Sequence, residues 1–150
     1  MFGLFGGKKK FIVSVGSEIR KIIDIVKIPE VNETVKSIRN EMKENGASQE
    51  DIESVKFNEI VACAVSQPLE DDLAYMYKNF NEVQGAFYCI SVYITNVYNT
   101  GQLQSFEKEQ PEMYRALQRL WYICAAAIEN NYDTFARCIM VSEKGNPFPE

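Results

Sequence analysis

The feature that most constrains the fold is a long apolar repeat in the middle of the chain. Its members recur at alternating spacings of four and three residues: Leu69, Leu73, Met76, Phe80, Val83, Phe87, Ile90, Ile94 and Val97. This is the heptad spacing of an α-helix packed along one seam, and it predicts a helix about 44 Å long over residues 69–99. No charged residue lies between Val83 and Phe106. The second half of the helix is therefore apolar on most sides, which is typical of the central helix of a bundle.

Helical spacing continues on both sides of this segment. The first apolar stripe repeats every three or four residues: Phe11, Val15, Ile19, Ile22 and Val26. It favours a helix, although the β-branched residues leave a short strand open for residues 11–15. Proline, glycine and capping residues delimit further predicted helices at Pro29, Asn45–Gly46, Ser48, Pro68, Pro111 and Asn130–Asn131.

The length and composition fit one compact domain. The chain has 150 residues, of which 46% are hydrophobic, enough to bury a single core. We therefore predict an all-α fold, a single-domain bundle of five to seven helices with its long central helix near residues 69–99. The helical domain is expected to span residues 11–143, between a flexible segment at 1–10 and a tail at 144–150.

The charge and the missing histidine exclude several functions. There are 16 basic and 21 acidic residues, a formal charge of −5, and nucleic-acid binding would normally need a basic stripe. The absence of histidine removes Ser-His and Cys-His catalysis and imidazole metal ligands. No arrangement of nucleophile, base and oxyanion site stands out. We therefore predict that the protein is not an enzyme, binds no nucleic acid and carries no cofactor and no metal.

Three consecutive acids, Glu70, Asp71 and Asp72, resemble a cation site or an acid–base pair. Neighbouring residues on a helix point about 100° apart, so these three cannot converge on one ion without other ligands. They follow Pro68, where acidic side chains stabilise the positive end of a helix. Helix capping is the favoured interpretation, and the same explanation is given to Glu107, Glu109 and Glu112 near Pro111.

The four cysteines are Cys63, Cys89, Cys124 and Cys138, and none forms a CxxC pair. Each lies in an apolar helical context, where a thiol behaves as a small hydrophobic side chain. Free thiols without disulfides are expected, which indicates a reducing cytoplasmic location.

The first residues combine Phe2, Leu4 and Phe5 with Lys8–Lys10. Such a segment can attach reversibly to a membrane surface, but its few apolar residues give only marginal binding. A frayed terminus, or one packed against the domain, is the favoured alternative. Gln84 and Ser91 interrupt the central uncharged stretch, so no stable membrane insertion is expected.

The far face of the central helix, opposite its seam, carries Tyr75, Tyr88, Cys89 and Val92. Other helices cover this face if the helix is buried, which is the favoured interpretation. The alternative is an exposed apolar patch for a partner. Gly85 fits both, because it lets another backbone approach closely.

The leading functional hypothesis is a small acidic protein-interaction module that binds and occludes a partner, in the manner of an immunity protein, an inhibitor or an adaptor. The partner is expected to be another protein, and a basic one would suit the acidic charge. Homo-oligomerisation is compatible with this hypothesis. The candidate partner-binding residues are Tyr75, Tyr88, Val92, Glu70, Asp71 and Asp72.

Two alternatives stay open at this point. A regulator would bind a small apolar ligand in the core among Tyr88, Tyr93, Trp121 and Tyr122. A carboxylate-based enzyme would need acids from different helices, such as Glu59, Asp72 and Glu82, to converge.

Overall fold

The fold is an α-helical bundle, which confirms the predicted class. The computed structural model describes residues 2–26, 33–129 and 147–148. Within these residues there is no strand, and the helices are α1 (Phe2–Ile25), α2 (Glu33–Glu44), α3 (Gln49–Ser54), α4 (Phe57–Val65), α5 (Gln67–Asp71), α6 (Leu73–Asn79), α7 (Glu82–Asn99), α8 (Gln102–Glu109) and α9 (Pro111–Glu129). These nine helices exceed the predicted five to seven, because two predicted helices are divided and α8 was not predicted.

Helix α1 settles the local structure of residues 11–15, which are helical and not a strand. It also begins at Phe2, so residues 2–10, predicted as a separate flexible segment, form its first part. One face of α1 is buried through the predicted stripe, which runs from Phe11 to Val26. Its apolar periodicity therefore positions α1 against the rest of the bundle.

Helix α7 is the central helix, as the uncharged stretch predicted. It packs against α1, α4, α5, α8 and α9, and every residue from Gly85 to Ser91 is buried. Gly85 permits the contact with α1, since a Cβ placed there would lie 3.1 Å from a Val15 methyl carbon. On the predicted far face, Tyr88 and Cys89 are therefore core and Val92 is half-buried, whereas Tyr75 lies on α6 and is exposed.

The long helix predicted over residues 69–99 is instead divided into α5, α6 and α7. The second break has a clear local cause, because Phe80 adopts an extended backbone and Asn81 begins a capping box. The Asn81 side chain accepts a hydrogen bond from the Gln84 backbone N–H, and the Gln84 side chain accepts one from the Asn81 N–H. These bonds stabilise a new helix start, so a heptad pattern that crosses the break overestimated the helix length.

The ends of several helices follow the predicted signals. The Ser48 hydroxyl accepts the Asp51 backbone N–H and caps α3. Gly46 and Gly101 follow α2 and α7 with φ values of 81° and 82°, the left-handed conformation that favours glycine. The helix predicted from Ser48 is interrupted at Val55–Lys56, where the backbone is extended.

The predicted C-terminal tail at 144–150 is described only at Pro147 and Phe148. Phe148 is buried, and its ring lies 5.4 Å from that of Tyr114 and 6.5 Å from that of Trp121. This part of the tail therefore packs on α9. The final helix predicted after Asn130–Asn131 lies outside the described residues.

Candidate functional site

Three of the six predicted partner-binding residues come together where α5, α6 and α7 meet. The Tyr88 hydroxyl donates a hydrogen bond to the Asp72 carboxylate at 3.0 Å. The Tyr88 ring centre lies 6.2 Å from that of Tyr75 and 5.3 Å from that of Phe80. These four residues form an aromatic cluster closed by one carboxylate.

The members of this cluster differ in access to solvent. Tyr88 is 5% exposed, so its side chain is part of the core, whereas Tyr75 is 39% exposed. Asp72 is half-buried. Desolvation, followed by the Asp72 hydrogen bond, raises the pKa of Tyr88 well above its usual value. Tyr88 and Asp72 therefore hold the cluster together, and Tyr75 is the aromatic side chain that a partner can reach.

The other three predicted partner-binding residues, Glu70, Asp71 and Val92, differ in their exposure to solvent. Glu70 and Asp71 are exposed on α5. Val92 is half-buried on α7, one turn beyond Tyr88, and packs against the core. The accessible part of the predicted set is thus Tyr75 with Glu70 and Asp71.

A second feature, which the sequence did not indicate, is an acidic pocket of about 270 Å³ between helix ends. Its lining residues come from the starts of α2, α4 and α9 and from the end of α8: Glu33, Thr34, Lys36, Phe57, Glu109, Gln110, Pro111, Glu112 and Met113. Phe57 and Met113 are buried and form an apolar floor. Three carboxylates and one ammonium group surround that floor.

The charges of the acidic pocket are unbalanced. Lys36 pairs with Glu33 at 3.6 Å, which leaves the carboxylates of Glu109 and Glu112 without an ion-pair partner among the described residues. Oε2 of Glu112 is buried and accepts no hydrogen bond from the described part of the chain. A buried carboxylate oxygen favours a donor, so the pocket is suited to a cation.

The two free carboxylates lie differently with respect to the helix ends. Glu112 lies in the first turn of α9, where a negative charge stabilises the helix. Glu109 is the last residue of α8, a helix that the sequence analysis missed. A negative charge there is unfavourable for α8, but Glu109 also lies two residues before the start of α9, where a negative charge is favourable.

The alternative function, a regulator that binds a small apolar ligand, requires a cavity among Tyr88, Tyr93, Trp121 and Tyr122. Tyr93 lines a cavity of about 180 Å³ beside Gln67 and Asn96, and this cavity is not lined by Tyr88, Trp121 or Tyr122. Tyr88 and Trp121 are instead buried in ring contacts. The four aromatic residues do not surround a common cavity among those described.

Two of the three acids proposed for an enzyme have other partners. Glu59 pairs with Arg20 of α1, and Asp72 accepts the Tyr88 hydroxyl. The described ranges contain no group of three or more cysteines and carboxylates placed to hold a metal ion.

Three of the four cysteines lie among the described residues. Cys63, Cys89 and Cys124 are free thiols, as predicted, and Cys138 lies outside the described residues. Burial raises the pKa of Cys89 and of Cys124 to about 12.

In the part of the chain that the structure describes, no helix is long and apolar enough to cross a membrane. No protein-family model, no curated protein and no solved structure matches the chain.

Proposed function

We propose that this chain is a small acidic protein-interaction module that binds and occludes a basic partner through the acidic pocket. The observation that carries the proposal is the pair of unpaired carboxylates, Glu109 and Glu112, above an apolar floor. A lysine or arginine side chain has the matching form, because its aliphatic stem packs on apolar surface and its cationic head donates hydrogen bonds.

The size of the acidic pocket also favours a side chain over a free ligand. Pockets for drug-sized molecules usually measure about 300–1,000 Å³, and this one measures about 270 Å³. Each hydrogen bond from a cation to a carboxylate contributes about 1.5–3 kcal/mol. One inserted basic residue would therefore act as a hot spot of the interface.

Tyr75 supplies a second contact in this proposal. Its ring is held in place by Phe80, at a centroid distance of 5.7 Å, and by Tyr88. A tyrosine fixed in this way loses little conformational freedom on binding, and tyrosine is enriched at interface centres. Glu70 and Asp71 place negative charge beside it for a basic partner.

The test is affinity capture from host lysate with three tagged proteins, followed by mass spectrometry. They are the wild type, the pocket variant Glu109→Gln/Glu112→Gln and the control variant Glu41→Gln/Glu44→Gln, which removes the same charge from exposed positions of α2. The proposal predicts one stoichiometric basic protein with wild type and control, lost with the pocket variant and in high salt. Equal capture by the pocket variant would contradict the role of the pocket. Capture of no protein by any of the three would contradict the function.

A direct measurement uses a defined probe in place of the unknown partner. Nuclear magnetic resonance titration with a short lysine-rich peptide should shift the backbone signals of Glu109 to Met113. The same peptide with glutamine in place of lysine should leave them unchanged. Shifts spread evenly over the acidic surface would show screening of charge without a specific pocket.

A further inference from the structure

The charges of this chain are divided between α1 and the remainder. Helix α1 carries five basic and two acidic residues, a formal charge of +3. The rest of the chain carries eleven basic and nineteen acidic residues, a formal charge of −8. An acidic protein therefore contains one basic helix.

The basic charge of α1 lies beside exposed apolar side chains. Ile12 is 40% exposed and Val13 is 69% exposed, and Lys9 and Lys10 are exposed next to them. On a helix with 3.6 residues per turn, Lys9, Ile12 and Val13 lie within about 100° of one another. The buried stripe that begins at Phe11 faces the bundle on another side.

The cations of α1 also differ in their partners. Arg20 pairs with Glu59, and Lys21 pairs with Glu18 at 3.1 Å. Lys8, Lys9 and Lys10 form no ion pair with any described residue. The free cations are thus the ones beside the exposed apolar residues.

We propose that this part of α1, Lys8–Val13, binds the surface of an anionic membrane. Helices that lie in a lipid interface combine lysines with exposed apolar residues in this way, and anionic lipid supplies the complementary charge. The apolar side chains enter the interface, and the ammonium groups contact the lipid phosphates. The binding is peripheral and reversible, and it is separate from the protein-binding role of the acidic pocket.

The experiment is co-sedimentation of the full chain with vesicles. One set consists of equimolar phosphatidylserine and phosphatidylcholine, and the other of phosphatidylcholine alone. Each lysine near an anionic surface raises the partition coefficient roughly fivefold. Replacing all three, Lys8→Gln/Lys9→Gln/Lys10→Gln, should therefore lower binding to the anionic vesicles by about a hundredfold.

Two further variants separate this role from general charge. Lys43→Gln/Lys78→Gln/Lys108→Gln removes the same charge from exposed positions outside α1, and it should leave vesicle binding nearly unchanged. Val13→Ser, at a solvent-exposed position, should lower binding about tenfold, because it removes an inserted apolar side chain. Circular dichroism would verify that each variant retains the helical fold.

Several results would overturn the proposal. Equal binding to the two kinds of vesicle would show that charge complementarity is absent, and no binding to either would exclude a membrane role. Retained binding by the Lys8–Lys10 variant would assign the contact to another surface. Self-association that depends on these lysines, measured by analytical ultracentrifugation without vesicle binding, would assign this face to a second copy of the chain.

Discussion

Replacing Tyr88 by alanine is expected to destabilise the domain strongly, because Tyr88 is a core residue. Its side chain is 5% exposed, its ring contacts those of Phe80 and Tyr75, and its hydroxyl is bonded to Asp72. Removing a buried aromatic ring costs about 3–5 kcal/mol. Domains of this size have a total stability of about 5–15 kcal/mol, so Tyr88→Ala should lose roughly a fifth to all of that stability.

The assay is urea unfolding followed by far-ultraviolet circular dichroism, with two matched variants. Tyr88→Phe retains the ring and loses only the bond to Asp72, and it should cost about 1–2 kcal/mol because water can reach the half-buried carboxylate. Tyr75→Ala should cost about 1 kcal/mol, since its ring is more exposed. A Tyr88→Ala protein within about 0.5 kcal/mol of the wild type would refute the reasoning, because surface substitutions have effects of that size.

The same hydrogen bond has a consequence at alkaline pH. Because burial and Asp72 raise the pKa of Tyr88 above the value of 10.0 for an unperturbed tyrosine, the folded state holds this proton more tightly than the unfolded state. The corresponding stability is complete below pH 10 and falls as the pH rises further, when the unfolded chain loses the proton first. Burial also raises the pKa of Tyr93 and of Tyr114, so ultraviolet titration of phenolate should show fewer tyrosines ionising around pH 10 in the folded wild type than in urea. The Tyr88→Phe variant should make this difference smaller by one tyrosine.

Four further predictions concern the cysteines, Gly85 and Asn81. Iodoacetamide at about pH 8 should alkylate exposed Cys63 before Cys89 and Cys124, as peptide mapping would show. The reason is that a thiol with a pKa of about 12 is ionised at this pH in only about one molecule in 10⁴. Equal alkylation rates at the three cysteines would contradict the burial of Cys89 and Cys124. The raised pKa values of Cys89 and Cys124 also predict a pH dependence of stability. The stability that these two protonated thiols contribute is complete below pH 9 and is lost as the pH rises toward 12. Gly85→Ala should gain about 1 kcal/mol of helix propensity. The added methyl group would lie 3.1 Å from a methyl carbon of α1, and such overpacking costs about 1–3 kcal/mol. Thermal unfolding should therefore show a net loss of about 1 kcal/mol, whereas a more stable protein would show that α1 can shift away. Asn81→Ala removes the cap of α7 and should cost about 1 kcal/mol in urea unfolding, whereas an unchanged midpoint would show that the box does not stabilise the helix.

The class of the fold could be predicted from apolar spacing because helix packing imposes that spacing. The uncharged stretch after Val83 identified the buried central helix for the same reason. Helix boundaries were harder to predict from the sequence, since the start of α7 depends on two reciprocal hydrogen bonds between Asn81 and Gln84. Helix α8 has few apolar residues and therefore gave no signal of its own.

The candidate site was predictable only where its residues are close in sequence. Tyr75 and Tyr88 were singled out on one face and Asp72 in the acidic triplet, and the structure brings the three together where α5, α6 and α7 meet. Burial was the favoured prediction for this face and is confirmed for Tyr88, whereas Tyr75 is exposed on α6, beyond a helix break that the heptad pattern did not show. The acidic pocket gave no sequence signal at all, since it joins Glu33 to Glu112 across four helix ends.

The division of charge makes the two proposed contacts compatible on one small molecule. An anionic membrane attracts the lysines of α1 and repels the acidic remainder of the chain, so the protein should bind with α1 toward the lipid. The acidic pocket is formed by α2, α4, α8 and α9 and takes no residue from α1. Neutralising the pocket with Glu109→Gln/Glu112→Gln should therefore abolish capture of a basic partner while vesicle binding stays the same or rises slightly. Loss of both activities in that variant, with the fold intact, would show that one surface serves both contacts and would contradict this separation.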